Sequence, residues 1–283
     1  MSSLQWWCSA QNVAWSWSWR AYPGVWLFMM VLVSLFVSLL QHSRRLGVGP
    51  AIRQRRTWAG WLGLLLVWVA LDWPVGALGG GYLASLHMTQ FLLLAMIAPP
   101  LILLGLPAEA MRDLAPEGAL GNVLRRLTHP GMALVAFNVM MFATHLPVVS
   151  DALMPSQLGS FVVDALWLGG GLLYWWPIVG PGVPRTHFTA PLRIGYLFVT
   201  MMFMTAPGAM ITFAELPLFA TYELAPRIGQ ISALGDQRLA GLLMKIGGAV
   251  ITWIGISIIF YHWQVEENRL LQRDLAKVRR VEG

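Results

Sequence analysis

Seven apolar stretches follow one another along the chain, separated by short polar connections. They are Gly24–Leu40, Trp58–Trp73, Ala84–Gly105, Gly131–Val149, Leu158–Val179, Leu192–Phe213 and Gln237–His262. A helix needs about 20 predominantly apolar residues to cross a bilayer. The second stretch is short and is expected to borrow flanking residues. The pattern predicts the all-α fold class, in the form of a polytopic integral membrane protein with a seven-transmembrane-helix bundle.

Composition and chain organisation agree with a membrane protein. Of the 283 residues, 57% are hydrophobic and 11% are charged, whereas soluble domains carry about a quarter charged residues. We expect a Trp-rich extracytoplasmic segment over residues 1–23, a transmembrane domain over 24–263 and a charged, helical cytoplasmic tail over 264–283. The amino terminus is not typical of a removable signal peptide. Cys8 is the single cysteine, which excludes an internal disulfide and a thiolate metal cage.

The placement of Lys and Arg predicts the orientation of the bundle. Fifteen of the 19 basic residues fall in alternate connections and in the tail: Arg44, Arg45, Arg53, Arg55, Arg56, Arg112, Arg125, Arg126, Arg185, Arg193, Arg269, Arg273, Lys277, Arg279 and Arg280. Basic connections stay on the cytoplasmic side. The amino terminus is therefore expected outside and the carboxyl terminus in the cytoplasm. Because the basic residues lie between spans, the net charge of +6 does not indicate nucleic-acid binding.

In this orientation, ionisable side chains from several spans share one layer of the membrane. His87, His145, Asp164, Asp236 and Lys245 all fall in the outer half of their spans. Polar groups inside a membrane are expensive to bury, and they mark functional sites by default. We therefore expect His87 and His145 to meet in one pocket beneath the outer face.

The chemistry of this layer is compatible with a copper site. Imidazole, carboxylate and thioether groups together suit copper, and thioethers favour Cu(I). The candidate ligands are His87, His145, Asp236, Met88, Met244 and Asp164. Structural interpretations compete at each position. A histidine near a helix end can bond a carbonyl, a methionine can fill core space, and Asp236 can complement a helix dipole. Asp164 and Lys245 can also form an ion pair with each other.

Four ordered motifs carry a resemblance to a known family. They are SLHMTQFLLLAMIAPPLILLGLP from Ser85 to Pro107, THLP from Thr144 to Pro147, GLLYWWP from Gly171 to Pro177 and LGDQRLAGLLM from Leu234 to Met244. Within SLHMTQFLLLAMIAPPLILLGLP, Pro99 and Pro100 are expected to bend or break the helix. The motifs resemble the CtaG family of cytochrome c oxidase assembly factors, over roughly Trp58 to Trp263. The resemblance implies a seven-helix protein whose motif residues His87, His145 and Asp236 serve a copper-related role on the outer side.

Two positions depart from the pattern of that family. The family usually has a second histidine one turn after the first, where this chain has Phe91, and a histidine early in the fifth span, where this chain has Asp164. The phenyl group of Phe91 removes a ligand, and the carboxylate of Asp164 makes the site less suited to Cu(I). An ion pair of Asp164 with Lys245 would fill the place of a metal. The interpretation is a scaffold that has kept its fold and has lost or weakened its copper site.

The leading expectation is a non-enzymatic assembly factor for a haem-copper cytochrome c oxidase, linked to copper delivery at the outer face. Its expected partners are oxidase subunits or a copper chaperone, together with the lipid bilayer of the bacterial cytoplasmic (inner) membrane. The alternative is a metal-free accessory or structural subunit of a respiratory membrane complex. A haem protein with His87 and His145 as axial ligands, a retinal protein using Lys245, and a transporter are weaker alternatives. The sequence shows no nucleophile–base pair and no phosphate-binding loop.

Overall fold

The computed structural model describes the backbone of residues 5–11, 13–47, 50–181 and 188–282, and the side chains of these residues other than 50–56 and 277–282. Arg185, used above for the orientation, lies outside the described residues. The side chains of Arg53, Arg55, Arg56, Lys277, Arg279 and Arg280 lie outside them as well.

All regular elements in the described ranges are helical. The first half of the chain contains α1 (Pro23–Arg45), α2 (Pro50–Leu71), α3 (Val75–Gly81), α4 (Ala84–Phe91), the π-helical turn π1 (Leu92–Ile97), α5 (Ala98–Gly105), α6 (Ala108–Asp113) and α7 (Gly118–Leu127). The second half contains α8 (Pro130–Thr144), α9 (Pro147–Leu153), α10 (Gln157–Val179), α11 (Ala190–Phe213), α12 (Ala220–Glu223), α13 (Ala233–Leu242), the π-helical turn π2 (Leu243–Gly247) and α14 (Gly248–Glu282).

The protein is an all-helical membrane protein. Within the described residues, five helices are long and apolar enough to cross a bilayer: Pro23–Arg45, Ala84–Gly105, Gln157–Val179, Ala190–Phe213 and Ala233–Ala276. The number rises to seven if each of two bent helix pairs counts as one span. These pairs are Thr57–Leu71 with Val75–Gly81, bent by 48°, and Gly118–Leu127 with Pro130–Thr144, bent by 70°.

Pro147 shifts a helix boundary from its predicted place, whereas Pro99 and Pro100 do not. The fourth apolar stretch was expected to continue to Val149, but α8 ends at Thr144, and Pro147 begins the separate helix α9. Pro99 and Pro100 neither break the third stretch nor end it, because Ala84–Gly105 forms one span. The π1 turn instead lies directly before these prolines. A π-turn changes the hydrogen-bond pattern locally and so accommodates the missing proline N–H groups.

The helices converge at two chemically different ends. At one end, which we call the histidine end, α4, α10 and α13 begin and α8 and α11 finish. The arginine end is the opposite one, where α1 and α5 finish and α11 begins. There the His42 Nε2 atom lies 2.7 Å from Asp113 Oδ2 and ties α1 to α6.

The segment before α1 lies across the histidine end. We call residues 5–11 and 13–22 the N-terminal strap. It contains no helix in its described residues, yet Trp7 is only 1% exposed. Backbone and side-chain hydrogen bonds join the strap to the helices: Gly24 N–H to Trp6 O, Ala10 N–H to Met154 O, Cys8 Sγ–H to Leu71 O and Tyr82 Oη–H to Val13 O. Burial raises the pKa of the Cys8 thiol well above its ordinary value, so this thiol remains a protonated donor.

Glycines allow α11 and α13 to approach closely. A Cβ atom on Gly241 would lie 2.7 Å from the Gly208 carbonyl oxygen and 2.7 Å from the Thr212 backbone nitrogen. Small residues permit such backbone contact between membrane helices. A Cβ atom on Gly195 in α11 would meet nothing within 4 Å.

We predict that Gly241→Ala destabilises the protein by about 1–3 kcal/mol, because backbone atoms of α11 must move to admit the methyl group. The thermal unfolding midpoint of the detergent-solubilised protein measures this change. Gly195→Ala is the matched control and should leave the midpoint unchanged or slightly higher, since Ala favours a helix over Gly. Equal midpoints for both variants would contradict the close packing of α11 on α13.

Candidate functional site

Asp236 fixes the start of the helix that carries His87. It lies in the first turn of α13 and is 3% exposed. Its Oδ2 atom accepts a hydrogen bond from the Ala84 N–H (2.6 Å), and its Oδ1 atom accepts from the Ser85 N–H (3.3 Å) and the Ser85 hydroxyl. The first N–H groups of a helix have no partner within that helix. Asp236, a predicted metal ligand, therefore acts here as a cap on α4.

His87 is buried one turn into α4. It is 7% exposed, and its ring centroid lies 4.7 Å from that of Trp167 and 5.7 Å from that of Tyr222. Its Nδ1 atom is buried without a hydrogen bond of normal geometry, and the ring interacts with the side chain of Gln90. Gln90, on the same helix, donates to the Ala70 carbonyl 2.9 Å away, and its Oε1 atom likewise lacks a hydrogen bond of normal geometry.

His145 caps the opposite-running helix α8, and one hydrogen bond determines its tautomer. Its Nδ1 atom lies 2.7 Å from the Met141 carbonyl oxygen. A carbonyl oxygen only accepts, so Nδ1 carries the proton of the neutral ring and Nε2 presents a lone pair. That Nε2 atom is buried without a hydrogen-bond partner. Metal-binding histidines have this arrangement, in which the second nitrogen donates to a carbonyl or carboxylate.

One indole holds both imidazoles. Trp167, which is fully buried in α10, stacks on His145 at 5.9 Å between centroids and also contacts His87. Phe91 lies edge-on to His145 at 4.7 Å and contacts Trp167 at 5.3 Å. We name this group, with Tyr222, the histidine pocket. The structure thus places His87 and His145 in one buried cluster, although they are 58 positions apart in the sequence.

Hydrogen bonds around the pocket hold Trp167 and Tyr222 in place. The Trp167 Nε1–H donates to Thr144 Oγ1 (3.0 Å). The Tyr222 hydroxyl donates to the Gly79 carbonyl (2.8 Å). Burial and nearby Asp236 raise the pKa of Tyr222 well above its ordinary value, so the phenol keeps its proton and remains a donor.

The predicted ion pair between Asp164 and Lys245 is not formed. The Asp164 Oδ2 atom instead accepts a hydrogen bond from the Trp7 indole nitrogen (2.8 Å). The backbone N–H groups of Trp6 and Trp7 donate to Gln157 Oε1, at 2.7 and 3.2 Å. Lys245 lies exposed on π2. The polar partner of Asp164 is therefore Trp7 of the strap, and not Lys245 as the sequence predicted.

The predicted thioether ligands lie in the core. Met88 is 3% exposed, and Met244 is fully buried. Among the described side chains, no three His, Cys, Asp or Glu residues form a group that could hold a metal ion. The donors that the site brings together are the His145 Nε2 lone pair and the imidazole of His87.

Sequence reasoning missed four residues that build the site: Trp7, Gln157, Trp167 and Tyr222. Trp7 precedes every span, Gln157 lies just before the fifth apolar stretch, and Trp167 lies inside it, where a tryptophan has no distinctive spacing. Tyr222 lies in a connection. It is held there by Asp151, which accepts hydrogen bonds from the Ala220 and Thr221 N–H groups at the start of α12. No local signal in the sequence joins these residues.

Comparisons with known proteins give one family and a few distant relatives. The family model described as cytochrome c oxidase caa3 assembly factor matches residues 34–266. Uncharacterized proteins of Mycobacterium bovis and Mycobacterium tuberculosis are each 26% identical over 214 residues, which cover 69% of this chain and 32% of theirs. An uncharacterized protein of Mycobacterium leprae is 24% identical over 258 residues, 81% of this chain and 39% of its own. The chain thus spans about a third of the length of these relatives. No solved structure shows significant similarity to it.

We predict that Trp7→Phe destabilises the protein by about 1–3 kcal/mol, because the phenyl ring keeps apolar packing but removes the donor to the buried Asp164 carboxylate. The double variant Trp7→Phe/Asp164→Leu should recover much of this loss, since no unpaired carboxylate then remains. Thermal unfolding of the four proteins of this mutant cycle measures the coupling. Trp17→Phe, at a residue 67% exposed, is the control. If the effects of Trp7→Phe and Asp164→Leu on stability are additive, the hydrogen bond between the two side chains is contradicted.

Proposed function

Because the chain belongs to the cytochrome c oxidase caa3 assembly factor family, we propose that it delivers Cu(I) to an oxidase subunit through the histidine pocket. In this proposal the histidine end faces outward, as the distribution of Lys and Arg favours. The protein resides in the bacterial cytoplasmic membrane and acts without catalysis. Copper is its cargo, received from a copper chaperone and passed to the oxidase.

The observation that carries the proposal is the buried His145 Nε2 lone pair, which has no partner and lies in one pocket with His87. Buried polar atoms in proteins are nearly always hydrogen-bonded, and each exception needs an explanation. His145 Nε2 is such an exception, and the His87 ring, which interacts with Gln90, contacts the same Trp167 indole. A role as copper donor explains why His145 Nε2 lacks a protein partner. Neutral imidazoles suit copper, and a buried site shields Cu(I) from water.

The same pocket favours weak and transient binding. Phe91 occupies the space beside His145 where the family usually has a histidine, and Asp164 is engaged by Trp7. Two imidazoles without a third strong ligand hold copper less tightly than a full ligand set. Weak binding is compatible with a protein that hands its copper to another.

The second candidate is a metal-free accessory subunit of a respiratory complex. It is favoured by the absence of a three-residue His, Cys, Asp or Glu group among the described side chains and by the apolar packing of Phe91. Stoichiometric co-purification with a mature oxidase would support this candidate. Transient association during oxidase synthesis would support the assembly factor.

We predict that the purified protein binds Cu(I) through His87 and His145, with weaker binding in His87→Ala and His145→Ala. Phe91→His should lower the copper dissociation constant by about tenfold or more, equivalent to about 1.4 kcal/mol, because it adds an imidazole beside His145. Competition with a chromogenic Cu(I) chelator measures these constants. His129→Ala, at an exposed position, is the control. No copper binding by the unmodified protein, and none gained by Phe91→His, would contradict the proposal.

We further predict that deleting the gene lowers the copper content of the membrane oxidase in the host. Copper bound per haem in isolated membranes is the measurement. Expression of the protein with His129→Ala should restore copper, whereas His87→Ala/His145→Ala at equal abundance should not. An oxidase with full copper but missing subunits would favour the accessory-subunit candidate instead.

A further inference from the structure

A long groove opens at the arginine end, away from the histidine pocket. It has a volume of about 1540 Å³ and runs between α5, α10, the start of α11 and the long helix α14. Its apolar part is lined by residues such as Leu104, Ile254 and Ile258. Ile258 is 54% exposed, so its side chain is open to an occupant.

The lining changes from apolar to basic along one face of α14. Helical spacing puts Ile251, Ile258, Arg269 and Arg273 on this face, and Trp263, which also lines the groove, lies between them along the helix axis. At 1.5 Å per residue, Ile251 and Trp263 are about 18 Å apart along the helix. That length is close to half of a hydrocarbon core of about 30 Å. The apolar part of the groove thus matches the depth of one leaflet.

Aromatic and basic residues mark the expected headgroup level. Trp263 lines the groove, and tryptophans concentrate at membrane–water interfaces. Arg193, Arg269 and Arg273 line the same space, and Arg269 and Arg273 follow Trp263 along α14. Arg193 donates from Nε to the Phe188 carbonyl (2.8 Å), which anchors its side chain at the groove mouth.

The charge of the mouth is complementary to a phosphate group. Among the described residues that line the groove, three arginines oppose one acidic side chain, Glu266. Arginine matches phosphate oxygens with paired donors. Basic pockets between membrane helices on the cytoplasmic side bind anionic headgroups. A second copy of the chain or an apolar helix would fill the apolar part but would bring no phosphate to Arg269 and Arg273, which outnumber Glu266 in this lining.

We propose that this groove binds one anionic phospholipid, with an acyl chain along Ile254 and Ile258 and the headgroup phosphate at Arg269 and Arg273. The site is separate from the histidine pocket and does not depend on copper. The lipid covers an apolar surface that the protein leaves open and joins α14 to α5 and α10.

Native mass spectrometry of the detergent-solubilised full chain tests the proposal, with phosphatidylglycerol and phosphatidylcholine as probes. We expect one phosphatidylglycerol per chain to be retained in preference to phosphatidylcholine. The double variant Arg269→Gln/Arg273→Gln should weaken phosphatidylglycerol binding on the order of tenfold, as expected for two basic residues at an anionic headgroup. Arg44→Gln/Arg45→Gln removes the same charge from exposed residues of α1 at the same end and should leave binding unchanged.

A second variant separates the groove from surface charge. Ile258→Trp fills the apolar part without removing an arginine and should also weaken phosphatidylglycerol binding. Excess inorganic phosphate should not displace the lipid, because the acyl chain contributes to binding. Equal retention of the two lipids, equal losses in the two arginine pairs, unchanged binding by Ile258→Trp, or displacement by phosphate alone would each overturn the proposal.

Discussion

The hydrogen bonds from the start of α4 to the Asp236 carboxylate are the contact on which the site depends. Backbone groups at a helix end have no partner within the helix, and in a bilayer each unsatisfied group costs several kcal/mol. Asp236 meets this need from a helix about 150 residues further along the chain. The contact ties α13 to α4 and so sets the place of His87. Asp151 acts in the same way on α12, which carries Tyr222. The histidine pocket is therefore built on caps that satisfy the backbone.

The apolar stretches predicted most of the fold, because the lipid bilayer imposes their length and composition. A span must be helical and about 20 residues long, so each predicted stretch coincides with a long helix or with part of a bent pair. The burial of the polar residues inside the protein could be predicted for the same reason, because an imidazole within a membrane span must avoid lipid. His87 and His145 are indeed enclosed, at 7% and 4% exposure. Bends and π-turns were not predictable to the residue, because they depend on packing between helices.

The partners of the polar residues could not be inferred from the sequence. Asp164 and Lys245 have opposite charges and similar predicted depths, which made an ion pair the simplest pairing. Depth along a helix does not fix rotation about its axis, and Lys245 is exposed on π2. The partner of Asp164 is Trp7, from a segment without helical periodicity. An indole donor neutralises no charge, yet it satisfies a carboxylate oxygen without burying a second ion, which is itself costly.

One of the two departures that the resemblance implies, Asp164, is matched by a contact from this segment. Its partner Trp7 precedes residues 34–266, the region that the family model matches. A buried carboxylate at position 164 requires a hydrogen-bond donor, and Trp7 of the strap supplies it. Phe91, the other departure, packs on His145 and Trp167 without any polar demand. Phe91 therefore gives His145 an apolar neighbour, whereas Asp164 is satisfied by the strap. The strap is part of the structure around Asp164, because that buried carboxylate has the Trp7 indole as its donor.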